Sequence, residues 1–145
     1  MDRHAFEELA ARIVEGSADG ILFTDREGII RLWNAGAERI FGWTAAEAVG
    51  QSMDMIIPDR LRARHWANWD RVMETGQTRY ATDTLAVPAL RKDGAPLSIE
   101  FTIQLVRDDA GKILGPVAIV RDVTERFRRE KELRARVKEL EAKAG

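Results

Sequence analysis

The sequence contains no cysteine. That absence excludes disulfides, zinc thiolates, iron–sulfur clusters, cysteine nucleophiles and thioether-attached cofactors, and leaves histidine and oxygen as metal ligands. A surplus of either charge is missing too: 23 Lys and Arg stand against 24 Asp and Glu, a formal net charge of −1. Such a balance supplies no overall basic field for a phosphate backbone, so direct nucleic-acid binding is not expected. No apolar run approaches the ~18–20 residues that span a bilayer. The opening Met1-Asp2-Arg3-His4-Ala5-Phe6-Glu7-Glu8 places acids where a signal peptide needs a basic and then an apolar segment. The expectation is a soluble, cytoplasmic chain without membrane contact. Walker loops, HExxH, GxSxG and triad spacings are also lacking. Asp19, Asp25, Glu100 and Asp122 fall in turns or alternate outward on strands, which gives no acid–base pair and no sign of an enzyme.

What is present suffices for one domain with helical appendages. A chain of 145 residues buries roughly 70% of its unfolded surface, enough for an apolar core and a modest pocket. Residues 1–15 form an amphipathic helix, with Phe6, Leu9 and Ile13 at helical spacing. Residues 16–123 form the main domain. It opens with two apolar runs, Gly20–Asp25 and Gly28–Trp33, joined as a β-hairpin through Asp25-Arg26-Glu27-Gly28. Asn34 caps a short helix carrying Ala37, Ile40 and Phe41, and Gly42 stops it. Thr44-Ala45-Ala46-Glu47 is a capping box for a second short helix. Trp33 and Trp43 flank these helices and are expected to pack them.

A longer helix runs from Pro58 to Glu74 and is terminated by Thr75-Gly76. Leu61, His65, Trp69 and Val72 share one of its faces, so His65 stands among apolar neighbours. Trp66 and Met73 flank the stripe, and Arg60, Arg62, Arg64, Asp70 and Arg71 point mainly outward.

Beyond Thr78 the period becomes that of strands. Tyr80–Leu90 is a strand that bends or meets an edge near Pro88. Leu97, Ile99, Phe101, Ile103 and Leu105 alternate with Ser98, Glu100, Thr102 and Gln104 in the cleanest strand pattern of the chain. Ile113–Val123 adds another strand after the Asp108–Gly111 turn, with an irregularity at Gly115-Pro116. The sheet has about five strands. Residues 124–145 are densely charged, with Val123, Leu133, Val137 and Leu140 on a coiled-coil seam that Arg126 and Glu130 interrupt. This tail is either a solvated helix or a dimerising output linker.

The order of elements, together with Ala18-Asp19-Gly20-Ile21, Asp25–Ile30, Trp33–Trp43, Arg91-Lys92-Asp93-Gly94 and Arg121-Asp122-Val123-Thr124-Glu125-Arg126, resembles a PAS domain over about residues 15–127. The resemblance implies an α+β fold: a five-stranded antiparallel sheet with helices on one face and a pocket between them. It also implies a sensory or interaction module of the kind attached to kinases, cyclases or regulators of transcription. Flavin-adduct and covalently attached chromophore sub-classes need a cysteine, so no flavin and no covalent chromophore are expected. Haem, a small uncharged ligand or a closed pocket remain. Arg62-Ala63-Arg64-His65 followed by Thr75-Gly76 is similar to the proximal-histidine helix of the haem-based oxygen sensors among PAS histidine kinases. The resemblance implies haem b ligated by His65, with Leu61, Trp69, Val72, Leu85 and Ile103 as apolar walls and Arg64 or Arg79 as propionate partners. Those sensors carry an arginine in the next strand, where this chain has Asp83, Thr84 and Leu85. The gas sensed therefore stays open between oxygen, carbon monoxide, nitric oxide and redox state. A lone histidine on an apolar face also suits a core residue bonded to a carbonyl. The expected partner is a second copy, met through the N- and C-terminal helices.

Overall fold

The computed structural model describes residues 1–78 and 86–145. Helix α1, Arg3–Gly16, is capped by the Asp2 carboxylate, which accepts from the Ala5 amide. Strands β1, Gly20–Thr24, and β2, Ile30–Trp33, pair antiparallel as the hairpin that the sequence predicts. Helices α2, Ala35–Phe41, and α3, Ala45–Ala48, follow, each with its expected cap: Asn34 on α2, and the reciprocal Thr44–Glu47 box on α3. A short 3₁₀ turn, Met53–Ile56, precedes the long helix α4, Asp59–Thr75, whose N-cap is Pro58. Three strands then build most of the sheet: β3, Ala86–Leu90, β4, Pro96–Arg107, and β5, Ile113–Asp122. Helix α5, Thr124–Ala144, continues directly from β5.

The five strands lie in the order β2-β1-β5-β4-β3, and every pairing is antiparallel. The last strand is thus inserted beside the first, which closes the domain around the central pair β1 and β5. Alternation sets the faces. Leu22 on β1, Leu97 and Ile99 on β4 and Val120 on β5 join Trp33, Ile40, Phe41, Ile56 and Ile57 in one buried cluster beneath the short helices. Trp33 and Phe41 rings meet at 5.3 Å, and the Trp33 indole N–H donates to the Trp43 carbonyl at 2.9 Å, as their packing role requires. A register shift at Val106–Arg107, opposite Gly115, is the irregularity expected at Gly115-Pro116. A Cβ on Gly115 would fall 1.9 Å from the Thr24 carbonyl oxygen, so only glycine lets the two strands approach there.

Asn34 fastens three elements at once. Its Oδ1 accepts from the Ile21 and Ala37 amides at 2.7 and 2.9 Å, and its Nδ2 donates to the Val14 and Asp19 carbonyls at 2.8 and 3.0 Å. One buried side chain thereby caps α2, anchors β1 and ties down the end of α1. The apolar stripe of α1 remains open, with Phe6 and Ile13 60% and 62% exposed.

Candidate functional site

The face of α4 that carries His65 is held by side chains rather than by close backbone packing. Arg62, expected to point outward, turns inward: its guanidinium donates to the Ile57 and Asp54 carbonyls, both at 3.0 Å, and pairs with Asp59. The Asp54 carbonyl already accepts from the Ile57 amide, and the arginine adds a second donor there while supplying one to the Ile57 carbonyl that leads into α4. The Trp66 indole N–H donates to an Asp54 carboxylate oxygen at 2.7 Å. The Trp69 indole N–H donates to the Arg26 carbonyl at 3.0 Å, so α4 is pinned to the β1–β2 turn. Gly76, in the left-handed region at φ 73°, closes the helix with its amide on the Val72 carbonyl.

His65 sits inside this aromatic group. Its ring meets Trp66 edge-on at 4.7 Å and lies 5.9 Å from Trp69, while the two indoles are 5.3 Å apart. Its Nδ1 is buried and has no hydrogen-bond partner among the described residues. Burial pushes the imidazole below its ordinary pKa, and the nearby Asp54 carboxylate opposes that shift only in part. The ring is therefore a neutral imidazole at neutral pH, the form that ligates iron or accepts a hydrogen bond. Among the described residues no carbonyl takes the place of the partner that a purely structural core histidine would have.

Of the other residues expected at the site, Trp69 is buried, Val72 is half-buried, and Leu61 packs against the core cluster. Ile103 is half-buried on β4, in step with Phe101 and Leu105. Arg64 is exposed on α4. Arg79 and Leu85 lie outside the described residues. Sequence reasoning missed Asp54, which orients Trp66 and is the carboxylate that His65 feels. The Ser52 hydroxyl accepting from the Asp54 amide was the available local signal for the turn that delivers it.

The donor set suits one-point ligation: a single unpartnered imidazole on an apolar helix face. Among the described residues no group of three or more His, Asp and Glu side chains could hold a metal by itself. Two open hollows of about 340 and 400 Å³ lie elsewhere, one at the root of α5 by Arg91, Leu97 and Thr124, the other by Gly42, Arg91 and Lys92. At the second, Lys92 pairs with Glu47 and stands 5.2 Å over the Trp43 ring. The Lys92 hydrogen bond, with that of the Thr44 amide, holds the Glu47 carboxyl down at about 2. That lysine is spent on structure.

The five-stranded antiparallel sheet in the order β2-β1-β5-β4-β3, the helices beside it and the helix running straight out of β5 define the architecture. Residues 14–128 match the family model of the PAS fold, and the chain belongs to that family. It is 29% identical over 124 residues to the sensor protein FixL of Bradyrhizobium diazoefficiens, covering 86% of this chain and 23% of that protein. It is 25% identical over 121 residues to the oxygen sensor protein DosP of Escherichia coli K12, covering 83% of this chain and 15% of that one. The chain thus spans less than a quarter of the length of either relative. A solved PAS domain from Colwellia psychrerythraea superposes with a TM-score of 0.72 at 24% identity, over 83% of this chain and 98% of that one. An RNA-binding light-oxygen-voltage receptor superposes with a TM-score of 0.77 at 21% identity, over 95% of this chain and 39% of that one. Both superpositions show the fold. The family and the sensor-protein relatives together mark this chain as a sensory PAS domain resembling those of sensor kinases. Among the described residues no helix is long and apolar enough to cross a membrane.

Proposed function

We propose that the input of this module is a haem b group ligated by His65, reporting a diatomic gas or a redox state, and that its output is α5. The observation that carries the proposal is the half-buried, neutral imidazole on α4 whose buried Nδ1 has no partner among the described residues. Each buried polar atom left without a partner costs ~1–3 kcal/mol, and an iron ligand bond would remove that cost. The relatives FixL and DosP support the sub-class, the second being an oxygen sensor by name. Haem would supply an iron centre for ligand or electron exchange. Leu61, Trp69, Val72, Leu85 and Ile103 would exclude water from it, and Arg64 and Arg79 would pair with the propionates. Among the described residues α4 is tied to the rest through side chains, by the Trp69–Arg26 and Trp66–Asp54 hydrogen bonds, the Arg62 bonds to the Ile57 and Asp54 carbonyls, the Trp66–Gly28 contact and the Leu61 contact, so a shift of α4 that makes room for haem has to rearrange these.

Titration of the purified chain with haemin tests this. The expected result is an intense Soret band at one equivalent, lost or shifted in His65→Ala with an unchanged far-UV circular dichroism spectrum. Wild-type protein that stays colourless after haem addition would refute it. Truncation after Arg126 should leave the Soret band intact and lower self-association.

A second reading, a cofactor-free homodimerisation module, is favoured by a different observation. Phe6, Leu9 and Ile13 on α1 and Leu32 and Ile119 on the outer sheet face are exposed apolar side chains. Under it the colourless chain sediments as a dimer, and Phe6→Glu with Ile13→Glu renders it monomeric.

A further inference from the structure

Thr24 is a threonine where the packing asks for a valine. It lies wholly inside, on the inner face of β1, and among the described residues nothing bonds its hydroxyl. A buried polar atom of this kind carries a desolvation cost that an isosteric methyl group would not. The described residues leave two further buried side-chain polar atoms without a partner, His65 Nδ1 and Trp43 Nε1. Trp43 stands apart, with Lys92 over its ring. Thr24 and His65 belong to one neighbourhood: the Trp69 ring lies 5.9 Å from His65, and its indole N–H reaches the Arg26 carbonyl, two residues beyond Thr24. The face of α4 that bears His65 is thus tied to the end of β1 that bears Thr24.

The backbone around Thr24 is irregular on both sides. The register of β1 against β2 shifts between Phe23 and Thr24. That of β4 against β5 shifts at Val106–Arg107, opposite the glycine that crowds the Thr24 carbonyl. Such bulges re-aim side chains and gather beside functional sites. Across the sheet, Leu22, Ala118 and Ile103 make one row, and Thr24 follows two residues beyond Leu22 on the same face. Its side chain therefore shares the inner face with Ile103, one of the walls assigned above to the haem.

We propose that Thr24 is the hydrogen-bond donor that the sheet offers to a gas molecule held on the iron, and that it favours oxygen over carbon monoxide. The inference rests on the haem reading and adds the residue that decides the gas. His65 would approach the iron from α4, which leaves the opposite axial position to face the sheet. The outer atom of bound oxygen draws negative charge and takes a hydrogen bond, whereas that of carbon monoxide hardly does, so a single hydroxyl there separates the two.

The haem-loaded full chain tests this as wild type, Thr24→Val and Thr24→Ser. Valine keeps the shape of the side chain, so the fold and the Soret band should be retained. In Thr24→Val oxygen should dissociate about tenfold faster, the effect of one lost hydrogen bond. The carbon monoxide rate should stay nearly constant while the C–O stretch moves to higher frequency. Thr24→Ser keeps the donor and should bring the oxygen rate back to within about threefold of wild type. A wild-type chain that takes up no haem would overturn the haem reading and this inference with it. Coloured protein whose oxygen rate and C–O stretch are the same in Thr24→Val as in wild type would overturn the role of Thr24 alone. So would a serine variant that behaves as the valine one.

Discussion

A Cβ at position 28 would lie 2.2 Å from Cη2 of Trp66, so the turn of the first hairpin and the long helix meet through a glycine. The same residue has φ 79°, which a side chain disfavours. Gly28→Ala adds roughly 1–2 kcal/mol of left-handed strain and unseats the indole that Asp54 orients. Urea denaturation should show a loss of about 2–4 kcal/mol. A wild-type midpoint for this variant would mean that Trp66 does not rest on the turn.

Asn34 makes four hydrogen bonds from a buried position, and no other side chain of its size supplies two donors and two acceptors there. Asn34→Ala should cost about 3–4 kcal/mol through the lost cap and the orphaned amides. Asn34→Asp keeps both acceptor bonds and loses both donors, so it should free the end of α1 selectively. Amide hydrogen exchange distinguishes the two, with protection falling in α1 for the aspartate and throughout β1 and α2 for the alanine.

Thr24 is fully buried on β1, and its hydroxyl has no hydrogen-bond partner among the described residues. Valine has nearly the same shape without the polar atom. Thr24→Val should therefore leave stability unchanged or raise it by up to about 1 kcal/mol. A marked loss in thermal denaturation would show that the hydroxyl is bonded in solution.

The His65 imidazole is held below its ordinary value of 6.5, chiefly by burial. A histidine depressed in the native state takes its proton more readily when the chain unfolds. Haem-free protein should accordingly keep its full stability above about pH 6.5, lose it as the pH falls through the native value, and then level off. Urea midpoints measured from about pH 7.5 to about pH 5 should decline for the wild type and flatten in His65→Phe. Identical slopes in the two proteins would place the ring in water.

The caps on α2 and α3, the alternation along β4 and the hairpin could be read from the sequence because each depends on residues within a few positions of one another. His65 among apolar neighbours was legible for the same reason, helical spacing alone. Its lack of a partner was not, because that depends on what the 3₁₀ turn and the first hairpin bring to it. Arg62 was misjudged on similar grounds: its inward turn answers two carbonyls contributed by Asp54 and Ile57, outside its own helix. The placement of β5 between β1 and β4 likewise depends on pairing across about a hundred residues, which no local pattern encodes.

The passage from β5 to α5 contains no slack. The Val123 amide donates to the Ser98 carbonyl at 2.9 Å, and the Thr124 hydroxyl accepts from the Ser98 amide at 3.1 Å, so the first helical turn is clamped to the strand beside it. Twenty-one residues of helix follow, a rod of about 30 Å at ~1.5 Å per residue. A tilt of about 10° at the clamp swings the far end of that rod by roughly 5 Å, close to one helical pitch. A rearrangement of the sheet too small to disturb its own hydrogen bonds is thereby magnified into a displacement the size of a side-chain layer.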